Sequence, residues 1–97
     1  MTIRHVVLFT YKPETPESVI AEAIGLLNAL PKAIPEILDW AIIEDEGKRP
    51  GSYRFVLIAS FDDLAAVDRY LDHPAHVAAV AFGGPHIAHF AEHDHAV

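Results

Sequence analysis

The sequence contains no cysteine. That absence excludes a disulfide framework, a thiolate nucleophile and any zinc site built on sulfur. Basic residues are scarce: 7 Lys and Arg stand against 14 Asp and Glu, a formal charge of −7 with neutral histidines. With no Lys/Arg cluster to neutralise phosphates, neither nucleic acid nor an anionic membrane surface is an expected partner. No apolar run is long enough to cross a bilayer. Met1-Thr2-Ile3-Arg4-His5 runs straight into a strand pattern, not a basic-then-apolar leader, so a cytoplasmic location is the expectation. Phosphate-cradling glycine loops and a Ser-His-Asp order are missing too. What is plentiful is apolar side chain, 52% of the chain, which argues for a folded protein. A length of 97 residues allows one domain, residues 1–97. So small a core gains from a partner subunit.

Ile3 to Tyr11 is β-branched and aromatic and reads as a strand, with Ile3, His5, Val7, Phe9 and Tyr11 on one face and Arg4, Val6, Leu8 and Thr10 on the other. Thr15, or else Ser18, is the expected cap of a helix running to about Leu30, where Pro31 and Pro35 stop it. Its apolar stripe is Val19, Ala23, Leu26, Leu27 and Leu30, widened by Ile20 and Ile24. Ile37–Glu44 and Tyr53–Phe61 read as strands around a charged loop. Asp62-Asp63 caps a helix from Leu64 to Leu71, with Leu64, Val67, Tyr70 and Leu71 at helical spacing. Pro74 to Phe82 is a further short helix, stopped by Gly83-Gly84-Pro85. Ile87 to Val97 is a candidate last strand whose alternation is poor. The order β-α-β-β-α-β predicts an α+β, ferredoxin-like fold: a four-stranded antiparallel sheet with its helices on one face. The opposite face carries Val6, Leu8, Val56 and Ile58. These are too apolar to face water, so a two-fold homodimer through the open sheet face is expected.

The chemistry centres on His73-Pro74-Ala75-His76. Proline pushes His73 out of the helical region and restarts a helix, so His76 falls in its first turn. Histidine exchanges a proton near neutral pH. His76 reads either as a general base paired with Tyr70, whose hydroxyl would hold an oxyanion, or as a brace at the helix break. Tyr70, at helical spacing from Val67, reads first as core. His5, on the apolar face of a strand, reads first as a satisfied buried histidine, with a partner that local sequence does not reveal. His73 belongs at a pocket rim or in a loop. If the tail is extended, His89, His93 and His95 share one face, as a metal site would need, but their spacing fits no established zinc pattern and no metal is expected.

Taken together, Ile3-Arg4-His5-Val6-Val7-Leu8-Phe9, Lys12, Leu30, Ile34-Pro35, the Tyr53–Phe61 strand, Tyr70-Leu71, His73-Pro74-Ala75-His76 and Asp94 resemble the stress-responsive A/B barrel (Dabb) family over essentially the whole chain. The resemblance implies a dimeric α/β barrel. One branch of that family is a plant polyketide cyclase that closes a linear tetraketide without metal or organic cofactor. By that resemblance His76, Tyr70 and His5 are the catalytic candidates. Val7, Phe9, Ala23, Leu27, Leu57 and His73 are the ligand-facing ones. Leu27 and Ala23 replace a tyrosine and an aromatic residue of the cyclase, and Ala91-Glu92-His93 replaces the apolar residues that usually precede the aspartate. The implied activity is cofactor-free proton transfer on a small apolar or aromatic carbonyl compound: cyclisation, isomerisation or decarboxylation. The alternative is a non-catalytic ligand-binding or structural stress-response protein.

Overall fold

The structure is a computed structural model that describes residues 1–97. Strand β1 (Ile3–Tyr11) leads into helix α1 (Glu17–Asn28) and a single turn, α2 (Leu30–Ala33). Strands β2 (Asp39–Glu44) and β3 (Phe55–Phe61) follow. Helices α3 (Leu64–Asp72) and α4 (Pro74–Gly83), a 3-10 turn at Gly84–His86 and strand β4 (Ile87–Ala96) complete the chain. The sheet is antiparallel in the order β2-β3-β1-β4. This is the expected ferredoxin-like α+β arrangement.

Alternation in β1 sets the two faces. Ile3, His5, Phe9 and Tyr11 are buried under the helices, whereas Leu8 on the other face is 37% exposed. The register extends that second face across the sheet: Val6 pairs with Ile58, and Ile58 with Ala41; Leu8 pairs with Val56, and Val56 with Ile43. Between sheet and helices lies a core whose most enclosed side chains are Tyr70, Phe61, Ile34 and Val67. Truncating one such aromatic typically costs about 3–5 kcal/mol.

Several element ends differ from the sequence expectation. Neither Thr15 nor Ser18 caps α1: Pro16 holds the cap position without a side-chain bond. Thr15 is instead buried, with its amide closing a turn on Lys12. Helix α1 stops at Asn28, and Pro31 sits in the first turn of α2 instead of ending the first helix. Strand β2 begins at Asp39, not Ile37, because the Ile37 amide is used by the Ile34 carbonyl in a turn. Strand β3 begins at Phe55, after the Arg49–Ser52 turn. Leu64, expected on the apolar stripe of α3, is 56% exposed; Ala66 takes a buried place in its stead. Asp63 is the cap, accepting from the Ala66 amide at 2.8 Å. The tail is a full strand, paired with β1 from Ile3 to Tyr11 with one register shift at Thr10/Tyr11.

Candidate functional site

Strand β1 carries His5 beneath the break between α3 and α4. His5 is 2% exposed, and its Nδ1–H donates to Asp94 Oδ1 at 2.6 Å. A carboxylate only accepts hydrogen bonds, so Nδ1 carries the proton of this bond and Nε2 is left outside it. The partner lies 89 residues away in sequence, on β4, where Asp94 is the register partner of His5.

The break itself follows from Pro74, which occupies the first turn of α4 and holds His73 extended at φ −63° and ψ 136°. His73 ends α3 and caps α4, its Nδ1 accepting from the Ala75 amide at 3.1 Å. That capping role keeps His73 out of the cavity lining, contrary to the ligand-facing expectation. One turn on, His76 Nδ1–H donates to the Leu71 carbonyl at 3.0 Å, satisfying an orphan acceptor at the end of α3. His76 Nε2 is left as its acceptor nitrogen.

Tyr70 stands between the two histidines. Its ring centroid is 4.6 Å from that of His76 and 5.9 Å from that of His5. Phe61 at 5.0 Å and Trp40 at 6.1 Å complete its packing. Trp40 is itself held by a bond from its indole Nε1–H to Asn28 Oδ1 at 2.9 Å. Burial holds the Tyr70 phenol proton well above the usual tyrosine range, and the charge of Glu92 adds to the effect. Burial pushes the His76 imidazole below the usual histidine range. The Leu71 bond opposes that shift, His5 reinforces it, and Glu92 opposes it. A ring that stays neutral and a phenol that stays protonated are a base and a hydrogen-bond donor side by side.

These groups border a cavity of about 480 Å³ between the sheet and the helices. Small-molecule sites commonly measure about 300–1,000 Å³. His5, Val7 and Phe9 line it from β1, and Leu57 lines it from β3. Ala23 and Leu27 face it from α1, Tyr70 from α3 and His76 from α4. Every sequence-derived candidate except His73 therefore meets at one space. The sequence reading missed Tyr11, Val80, Phe90 and Glu92, which also line it. Phe90 and Glu92 precede Asp94 by even steps on β4, so the two-residue strand period would have placed them on the His5 face once the tail was taken as extended. On the opposite face of β4, His93 and His95 sit with ring centroids 5.2 Å apart, away from the cavity. No third His, Cys, Asp or Glu joins them in a cluster suited to a metal ion.

Comparison with known proteins agrees with this architecture. The family model described as the stress responsive A/B barrel domain matches residues 3–97. An uncharacterized protein of Streptomyces coelicolor is 35% identical over 81 residues, covering 81% of this chain and 84% of its own. A crystal structure from Thermobifida fusca, described as a dimeric ferredoxin-like protein of unknown function, is 34% identical with a TM-score of 0.88, covering 100% of this chain and 92% of its own. The hydroxynitrile lyase of Passiflora edulis superposes with a TM-score of 0.89 at 18% identity, over 99% of this chain and 93% of its own; that likeness is one of fold. On the match across residues 3–97 and the identity to the Streptomyces protein, this chain belongs to the stress-responsive A/B barrel (Dabb) family.

Proposed function

We propose that this protein is a homodimer, closed over its open sheet face, that binds a small apolar carbonyl compound in each cavity and moves a proton on it. The observation that carries the reading is Tyr70, held between two imidazoles at the wall of a mainly apolar cavity. Each imidazole has its Nδ1 engaged, and neutral His76 keeps Nε2 as a free acceptor. Neutral His76 takes the proton from the carbon alpha to the carbonyl, and the C–H electron pair becomes the enolate. The Tyr70 hydroxyl donates a hydrogen bond to the oxygen on which charge gathers. Returning the proton to another carbon completes an isomerisation; attack of the enolate on a second carbonyl closes a ring, and the proton held by His76 passes to the alkoxide so formed. His5, oriented by Asp94, is the second proton-handling group at the wall. The dimer is supported by the apolar open face and by relatives described as dimeric.

The test is exchange of alpha protons for deuterium in a panel of ketones, read by NMR. His76→Ala loses about 10²–10⁴-fold of any exchange rate. Tyr70→Phe keeps the ring and lowers turnover more than affinity. Unchanged exchange in His76→Ala removes that residue from the mechanism. The second reading, a non-catalytic ligand-binding or structural stress-response protein, is favoured by the apolar α1 wall of Ala23 and Leu27. Ligand binding with no exchange in any ketone decides for the binding role.

A further inference from the structure

At the solvent-exposed edge of the cavity stands a charged residue, Glu92, that the proton-transfer reading does not use. Among the lining residues Glu92 is the only Asp, Glu, Lys or Arg. It sits opposite Val7 in the β1–β4 register, on the same face as His5 and Asp94. None of the ion pairs of the chain includes it. No Lys or Arg lines the cavity beside it, and three of the chain's cations are held by other groups. The Arg54 guanidinium grips Glu17 and Glu44, Arg69 holds Glu36, and the Lys12 ammonium donates to the Pro85 carbonyl. The field of Glu92 reaches both Tyr70 and His76.

We infer that the cavity selects an apolar carbonyl compound that also carries a protonated amine, seated against Glu92, and rejects carboxylic acids. The inference rests on the ligand-binding reading above and narrows its substrate class. An acid brought into the cavity would meet a like charge with no Lys or Arg lining the space to receive it. An ammonium group would supply the missing partner, while its apolar body covers Val7, Leu57 and Phe90. The same pairing serves the chemistry. Enolate charge gathering at Tyr70 lies within the repulsive field of Glu92, and an ammonium between the two offsets that field. Glu92 thus acts as a specificity-determining residue.

Three probes with one apolar body test this by calorimetry at about pH 7.5, where amine and acid are both charged: phenylbutylamine, phenylbutanol and phenylbutyrate. The parent protein should bind the amine at least about tenfold tighter than the acid, with the alcohol between. Glu92→Gln should reduce that preference to less than about threefold. Glu46→Gln, which removes the same charge from the exposed β2–β3 loop, should leave it intact and so exclude a general effect of net charge. Val80→Trp, at a lining position that is 48% exposed, should block all three probes if they occupy the cavity. Equal or tighter binding of the acid, or a preference that survives in Glu92→Gln, overturns the inference while leaving the cavity a binding site. Failure of all three to bind the parent, or binding that ignores Val80→Trp, overturns the cavity reading and this inference together.

Discussion

The bond from buried His5 to Asp94 joins two strands through residues 89 apart in sequence, and Asp94→Leu tests it. His5 is 2% exposed, and Asp94 is the hydrogen-bond partner of its Nδ1 at 2.6 Å. Removing the carboxylate strands a buried donor, which costs about 1–3 kcal/mol, more when the partner is charged. The Asp94 side chain is 32% exposed, so water competes for it and the upper end of that range is out of reach. The expected loss is about 2 kcal/mol. In a domain of this size that lowers the melting midpoint by about 8–16 °C. His5→Leu alone should cost less, because the abandoned carboxylate can turn to solvent. The double variant should recover at least about 1 kcal/mol relative to the sum of the singles, since apolar groups replace both partners. Urea unfolding reads this through the fluorescence of Trp40, the only tryptophan. Protomer concentration must be held constant, because a dimer gains stability by mass action. If Asp94→Leu lies within about 0.5 kcal/mol of the parent, or the two singles simply add, the carboxylate does not satisfy a buried donor on His5.

His76 supplies a pH test. Its folded pKa is lowered by burial, so the folded state resists protonating it. The stability this contributes is full above the unfolded value of about 6.5 and is lost as pH falls from there toward the lowered folded value. The stability advantage of the parent over His76→Asn should therefore be constant above about pH 7.5 and shrink on acidification; an advantage that grows would mean the folded imidazole prefers to be charged. Leu8→Asp places a charge in the centre of the apolar open face and should convert dimer to monomer or unfold the chain, at a cost of several kcal/mol; Leu64→Asp, on the exposed side of α3, should leave sedimentation unchanged. A parent that sediments as a monomer at micromolar concentration refutes the homodimer. Gly25, exposed within α1, has no atom within 4 Å of where a Cβ would stand. Gly25→Ala should raise unfolding free energy by about 0.5–1 kcal/mol, and no gain would mean α1 is not helical there in solution.

Local chemistry made much of this protein legible without its structure. The alternation in Ile3–Tyr11 placed His5 on the buried face because successive strand side chains point to opposite sides. The His73-Pro74 break followed from proline sterics, and the Asp63 cap from the orphan amides at a helix start. Those rules act within a few residues, so the chain itself carries them. Other features depend on segments far apart in the chain. β4 reads poorly as a strand because the face away from the cavity carries His89, His93 and His95 and its residues from His89 on are exposed, so no apolar alternation is visible. Its pairing with β1 comes from backbone hydrogen bonds, which leave no mark in side-chain pattern. The same pairing supplies Asp94 to His5 and brings Glu92 to the cavity. The length of the α3–α4 break then decides that the His76 ring meets Tyr70 while the His73 ring is spent on capping an amide. Two histidines three residues apart have similar intrinsic chemistry; the packing around each one separates a cap from a candidate base.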